Sequence, residues 1–415
     1  MEKLATKDAG TIASVNKGLG NSDALIHGDY NVALQHISLP CACIYQTRLD
    51  NNIAWMAEFA KQSQVEFSPH GKTTMAPGIF KKQLAAGAYA ITIATVPQAV
   101  VAARAGAKRI IMANQLVGTA NMLQLSYLLK QYEIDFYCLV DDVSNVTTLG
   151  EFFNEQGLQL KLLIELGVPG GRCGVVDSQK LQQLAAHIKS YSSLQLAGLE
   201  VYEGVLSTQH EVTAFLATAV AKCKDLIAQQ AFATEQVIIT AGGSAWYDLV
   251  CDAFAPANML ENMIPVIRPG CYVAHDQGIY EQAQQSVLAR NPLACNIGSD
   301  LQSCLEIWAY VQSLPEPGRA IIGMGKRDVA FDAGLPIPNL HVDQSGTVKP
   351  AGAKWKVEKI MDQHAMLTYP ITEQLEVGDI IAFATSHPCL TFDKWRYINV
   401  IDDNYNVIDI FDTYF

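Results

Sequence analysis

Three segments of this chain carry residue types that do chemistry. In the first, Ser68-Pro69-His70-Gly71-Lys72-Thr73-Thr74, a lysine leaves an apolar run among largely uncharged neighbours. A lysine held there loses solvation, which favours the neutral amine that attacks a carbonyl and forms a Schiff base. The second is a pair of glycine-containing turns, Ala241-Gly242-Gly243-Ser244 and Arg268-Pro269-Gly270-Cys271-Tyr272. Paired glycines let backbone N–H groups approach a phosphate closely, and the serine hydroxyl adds a donor. The third is Ser386-His387-Pro388-Cys389. Residues two apart on a strand share a face, so His387 and Cys389 would aim imidazole and thiolate at one ion. Zinc favours such a pair. Two ligands do not close a structural site; an open site needs water, substrate or another residue to complete its shell. Taken alone, each segment is ordinary: a solvated lysine, a tight turn, a buried cysteine beside a histidine.

Their positions along the chain raise their value. Eight β-rich apolar runs begin at Val65, Tyr89, Arg109, Asp135, Leu160, Leu194, Gln236 and Met263. Amphipathic stretches such as LDNNIAWMAEFAKQS and NMLQLSYLLKQYE separate them, with apolar residues at helical spacing. Near-continuous apolar strands alternating with helices predict an α/β fold with a covered parallel sheet. Eight such units favour a (β/α)8 barrel of the TIM type over an open doubly wound sheet. In a barrel, functional groups sit at the C-terminal ends of the strands, and phosphate sites gather after strands seven and eight. Lys72 leaves the first run, Ser244 the seventh and Gly270 the eighth.

After about residue 286 the pattern changes. GRAIIGMG, DVAFDAG, DIIAFATSHPC and YINVIDDNYNVIDIF read as short strands with Gly, Pro and Asp turns between them. We therefore expect an irregular leader over 1–44 whose CACIYQ run adds a strand to the last domain. The barrel then covers 45–285, and a mainly antiparallel β domain bearing the metal pair covers 286–415.

Composition narrows the class of protein. Acidic residues number 41 against 29 basic ones, a formal net charge of −12, so a phosphate backbone would be repelled and no nucleic-acid partner is expected. No stretch reaches the ~20 apolar residues that span a bilayer. The first residues lack an apolar signal-peptide core, and the ten cysteines are scattered singly apart from Cys41 and Cys43. Buried thiols in the cytoplasm, with no membrane partner, are the expectation.

PHGKTTMAP at Lys72 resembles the lysine segment of the fold-type III pyridoxal-phosphate enzymes related to alanine racemase. With GVPGGRCGV, LEVYEG, AGGS, RPGCYV and HPCLTFDKW, it resembles more narrowly the D-serine dehydratase and D-threonine aldolase family. The likeness covers nearly the whole chain. It departs at Thr74, where the family often has histidine, at DQHA around His364 and at GKRDVAFDAG. The resemblance implies that Lys72 carries pyridoxal 5'-phosphate and removes the α-proton of a small D-amino acid. It places His70, Arg172, Tyr202 and Arg268 near the cofactor, and Gly242, Gly243, Ser244, Gly270, Cys271 and Tyr272 around its phosphate. His387 and Cys389 would hold a divalent metal, expected to be Zn2+. Within the family, His-x-Cys accompanies the dehydratases and His-x-Asp the aldolases, so D-serine or a related D-3-hydroxy amino acid would give a 2-oxo acid and ammonia. Retro-aldol cleavage to glycine and an aldehyde is the main alternative; a racemase or a non-catalytic cofactor carrier has no use for the metal pair. A homodimer is expected, with the β domain of one subunit covering the barrel mouth of the other.

Overall fold

The computed structural model describes residues 17–19 and 30–415. The leader's residues 1–16 and 20–29 lie outside that range. The first strand, β1 (Cys41–Tyr45), feeds directly into a helix over Gln46–Gln62, whose apolar face buries Leu49, Ile53, Met56 and Phe59. Eight parallel strands follow: β2 (Glu66–Phe67), β3 (Ile91–Ile93), β4 (Arg109–Gln115), β5 (Asp135–Val140), β6 (Leu160–Leu166), β7 (Leu194–Val201), β8 (Val237–Ala241) and β9 (Met263–Ile267). Their ladder runs β2-β9-β8-β7-β6-β5-β4-β3. The two shortest strands close the ring just beyond β2. His70 bridges Thr92, and the N–H groups of Tyr89 and Thr92 donate to the carbonyls of Phe67 and Pro69 at 2.8 and 2.9 Å. All eight expected strands are present, and the barrel is the one expected.

The apolar runs look continuous because both faces of each strand are buried, yet the two faces belong to different clusters. Ile111, Tyr137, Leu139, Leu163, Ile238 and Val266 form the inner cluster, and their chain neighbours Ile110, Cys138, Leu162 and Ile239 pack outward under the helices. This is the period-two alternation of a strand read from both sides. Each fully buried Leu or Ile contributes about 1.5–3 kcal/mol of transfer free energy, so the ring is stiff enough to hold side chains at its rim. The end where the strands begin is plugged by Asp135, which accepts from Tyr137 and pairs with Lys161 and Arg109. The opposite rim is left for chemistry.

The remaining strands are β10 (Leu305–Glu316), β11 (Arg319–Ile322), β12 (Ile337–Val342), β13 (Val348–Pro350), β14 (Lys356–Ile360), β15 (Ala365–Thr368), β16 (Ile380–Ala384), β17 (Tyr397–Ile401) and β18 (Val407–Asp412). They run β13-β12-β16-β10-β1-β17-β18, with β11, β15 and β14 branching from the far half of β10. Every pairing is antiparallel except β1 with β17. The CACIYQ run thus enters the middle of this sheet, and all five of its strand residues are buried.

Two expectations about this region need correction. Asp328–Gly334 forms turns, not a strand: Asp328 bends back to accept from the Gly325 N–H at 2.7 Å. His387 and Cys389 do not share a strand either. β16 ends at Ala384, and Cys389–Phe392 is a short helical turn entered through Pro388 at φ −58°, ψ −46°. Proline has no ladder donor and pre-sets helical φ, so the strand cannot continue through it.

Candidate active site

A cavity of about 530 Å3 opens at the C-terminal rim of the barrel, walled on one side by the 387–390 loop of the second sheet. Lys72 enters it from the single 3-10 turn Gly71–Thr73 that follows β2. Its side chain is exposed into the cavity, so the protein does not desolvate it as the sequence suggested. Beside it, His70 is half-buried and its Nδ1 has no hydrogen-bond partner. Burial first, then the charges of Lys72, Arg268 and Arg172, hold its imidazole well below its usual value, so it is neutral. An orphaned ring nitrogen beside a free lysine leaves room for a polar ring to settle there.

Two arginines approach from separate strand exits, Arg172 after β6 and Arg268 after β9. The Arg172 guanidinium carbon lies 4.7 Å from the centroid of the Tyr202 ring, a cation–π contact that orders both side chains. Arg268 is buried, paired with Glu200, and donates to Thr240 Oγ1 at 2.6 Å and to the Val201 carbonyl at 3.2 Å. Burial pushes the Glu200 carboxyl up to about 7 while Arg268 opposes the rise. Arg268 therefore serves as a barrel-rim ion pair and also lines the cavity.

The glycine turns differ from expectation. Glu203, fully buried, accepts from the Gly242 and Gly243 N–H groups at 2.9 and 2.6 Å. Those two amides already hold a carboxylate and are not free for a phosphate. Gly242 has φ +117°, a conformation that L side chains rarely adopt, so the turn itself requires glycine. The donors that converge on the cavity come from after β9. The N–H groups of Gly270 and Cys271 both reach Ser244 Oγ, at 3.2 and 3.1 Å. Tyr272 is outside the cavity lining: its ring is buried and its hydroxyl accepts from Gln83 at 3.0 Å.

Unlike the fixed Glu203 carboxylate, the Ser244 hydroxyl can turn aside and itself donate, so Ser244 with the Gly270 and Cys271 amides can form a cradle for a phosphate, and it is tight. A Cβ on Gly270 would stand 2.6 Å from Thr73 Oγ1 and 3.0 Å from His70 Cβ. Overpacking of this kind costs about 1–3 kcal/mol. Gly270→Ala should therefore weaken binding of a phosphate-bearing ligand in this cavity by roughly 10-fold or more, read by calorimetric titration. Circular dichroism should show the barrel retained.

Opposite the lysine, Cys271, His387 and Cys389 bring their donor atoms within 4.8 Å of one another. The Cys271 and Cys389 sulfurs are 3.4 Å apart, and Cys389 Sγ lies 3.5 Å from Thr73 Oγ1. His387 Nδ1 is 2.7 Å from Asp332 Oδ2, a contact that orients the ring. The bonds to Cys389 and Asp332 raise His387 to about 9 against its burial. The Cys271 thiol and the His387 imidazole together hold Cys389 well below the usual thiol range. These donors form a soft set in the same cavity as the lysine.

A larger hollow of about 750 Å3 lies at the other end of the barrel, beside Val65, Glu66, Met263 and Ile264, where strands begin. Chemistry in barrels occurs at the opposite face.

Residues 44–272 match the family described as alanine racemase, N-terminal domain. The chain belongs to that family. Residues 304–401 match a putative serine dehydratase domain, so the resemblance read from the motifs holds in both halves of this alanine racemase family member. A D-threonine aldolase from Arthrobacter sp. is 25% identical over 379 residues, 89% of this chain and 90% of that protein. A D-threo-3-hydroxyaspartate dehydratase from Delftia sp. strain HT23 is 28% identical over 169 residues, 40% of this chain and 44% of that one. Among solved structures, D-threonine aldolase from Filomicrobium marinum superposes with a TM-score of 0.75 at 23% identity, covering 93% of this chain and 97% of that one. The Delftia dehydratase superposes at 0.70 and 21%, covering 92% and 98%.

Four residues at or behind the site escaped the sequence reading: Glu203, Asp332, Thr73 and Tyr280. Glu203 stands inside LEVYEG and Asp332 inside the acidic GKRDVAFDAG run, so a charge within a motif was the available signal. Thr73 directly follows the lysine. Tyr280, whose ring centroid is 6.4 Å from that of His387, carries no mark in the sequence.

Proposed function

We propose that this alanine racemase family member is a pyridoxal-phosphate lyase acting on a D-3-hydroxy amino acid. In this reading it is a metal-assisted dehydratase that converts D-serine or a close analogue to a 2-oxo acid and ammonia. The observation that carries the reading is that Lys72 and the His387–Cys389 pair face one cavity. A base for the α-proton and donors for a Lewis acid thus reach the same small substrate.

Bound pyridoxal phosphate supplies the electron sink that makes Cα acidic. A divalent ion, zinc by the softness of its donors, supplies the Lewis acidity that hydroxide needs to leave. The chain does the rest. Ser244 with the Gly270 and Cys271 amides would hold the phosphate. Lys72 would hold the cofactor and would then serve as the base that takes the α-proton. Arg268, fixed by Glu200, Thr240 and Val201, presents a group that stays protonated and cannot readily pass a proton to a ring nitrogen. The ring is then a weaker sink, and help for the leaving group matters more. Neutral His70 adds no charge beside Lys72. Asp332 keeps the Nδ1 edge of His387 occupied and leaves Nε2 for the ion.

Retro-aldol cleavage is the second reading, favoured by the aldolase likeness along 89% of the chain. The His-x-Cys pair favours the dehydratase. Incubation with D-threonine separates them: 2-oxobutanoate and ammonia are expected. Glycine and acetaldehyde without 2-oxobutanoate would overturn the dehydratase.

A further inference from the structure

Cys271 stands at a junction. Its amide reaches Ser244 in the phosphate cradle, while its thiol leaves the cradle and meets the second sheet. The residue is buried, in the 3-10 turn Cys271–Val273 that follows β9. The sulfur it faces belongs to Cys389, which starts the Cys389–Phe392 turn.

The distances discriminate between roles. At 3.4 Å the two sulfurs are far beyond the ~2.05 Å of a disulfide. Two thiolates bound to one tetrahedral zinc at ~2.3 Å would have their sulfurs about 3.8 Å apart, so a few tenths of an ångström of opening would admit the ion. With all three donor atoms inside 4.8 Å, one centre can reach each of them. Two thiolates and an imidazole with a fourth position open is also a known donor set of catalytic zinc.

Building on the proposed metal at His387 and Cys389, we propose that Cys271 is its third protein ligand. The site is then a Cys2His centre that joins the barrel's phosphate cradle to the second sheet. Ligation forms a Cys271 sulfur–metal bond and releases the thiol proton to solvent. No electrons are transferred. The added thiolate biases the site toward zinc and cadmium and against magnesium and manganese, which prefer oxygen donors.

The test uses the pyridoxal-phosphate holoenzyme, kept reduced and loaded with one equivalent of zinc. X-ray absorption at the zinc edge should find two sulfur scatterers at about 2.3 Å per ion. A single sulfur would overturn the role of Cys271 and leave the His387–Cys389 site standing. If the protein retained no zinc at all, the underlying metal reading would fail with it. Chelator competition gives the second measure. Loss of a residue that merely orients a ligand costs about 10–100-fold in metal affinity, so Cys271→Ser should cost more than ~100-fold for zinc. Manganese affinity should change far less. Equal small losses for both ions would also overturn the proposal. The absorption measurement on the wild type stands even if the variant fails to fold.

Discussion

Lys72→Ala should lose turnover by roughly 10³-fold or more while keeping its fold. The lysine has two roles in the proposed reaction, holding the cofactor and moving the α-proton, and positioned proton transfer alone contributes about 10²–10⁴-fold. Its side chain is exposed in the cavity and supports no core, so circular dichroism and thermal melting should be near wild type. The wild-type protein should be yellow when loaded with pyridoxal phosphate. Borohydride should fix the cofactor to the peptide that contains PHGKTTM. Labelling of any other lysine would end the assignment, whatever the variant's activity.

Metal removal should have an effect as large, but on one step only. Proton removal at Cα needs Lys72 and the cofactor, whereas loss of hydroxide needs a Lewis acid. Chelated enzyme should therefore stop releasing 2-oxo acid from D-serine while the substrate's α-proton still exchanges slowly with deuterated solvent, followed by NMR. His387→Ala should behave the same way. Added zinc should restore the chelated wild type and leave the variant inactive. Cys389→Asp exchanges a soft donor for a hard one, so it should lose zinc affinity and respond to manganese. It would also carry the aldolase-type pair, and glycine formation from D-threonine is the product to look for. Release of 2-oxo acid at the wild-type rate by the chelated enzyme and both variants would make the metal irrelevant.

Under the proposed function, Lys72 and the His387–Cys389 pair cooperate because the stiff barrel rim holds the first and the loop after β16 of the second sheet brings the other into the same cavity. Ser68 and Thr92 tie the first two strand exits together, their hydroxyls 2.7 Å apart just below His70. The Glu203 carboxylate locks the loop after β8, which leaves Ser244 in position. These internal bonds let a cavity of about 530 Å3 keep its shape, as the proposed cofactor and a small amino acid would require.

Much of this was already legible in the residue order. Strand formation depends on local apolar runs, and each of the eight, from Val65 to Met263, was long enough and well enough bounded to be recognised. Once the strands are counted, the barrel rule alone places Lys72, Arg172, Ser244 and Gly270 at one rim. The softness of an imidazole–thiol pair is likewise a property of residue type. Other features depended on which distant groups meet. Cys271 and Cys389 are 118 residues apart in the chain and sit on turns that follow strands of different sheets, yet their sulfurs touch. Asp332 reaches His387 across 55 residues from a segment that reads as a strand and folds as turns. Glu203 takes the Gly242 and Gly243 amides from 39 and 40 residues away, so a glycine turn that looks free for phosphate is not. Even the His387–Cys389 pairing was anticipated through the wrong geometry, because Pro388 turns the strand into a helical step. Periodicity and turn chemistry act over a few residues and can be read from them. The convergence of donors at one point is set by how the barrel and the second sheet pack, and only the tertiary structure decides it.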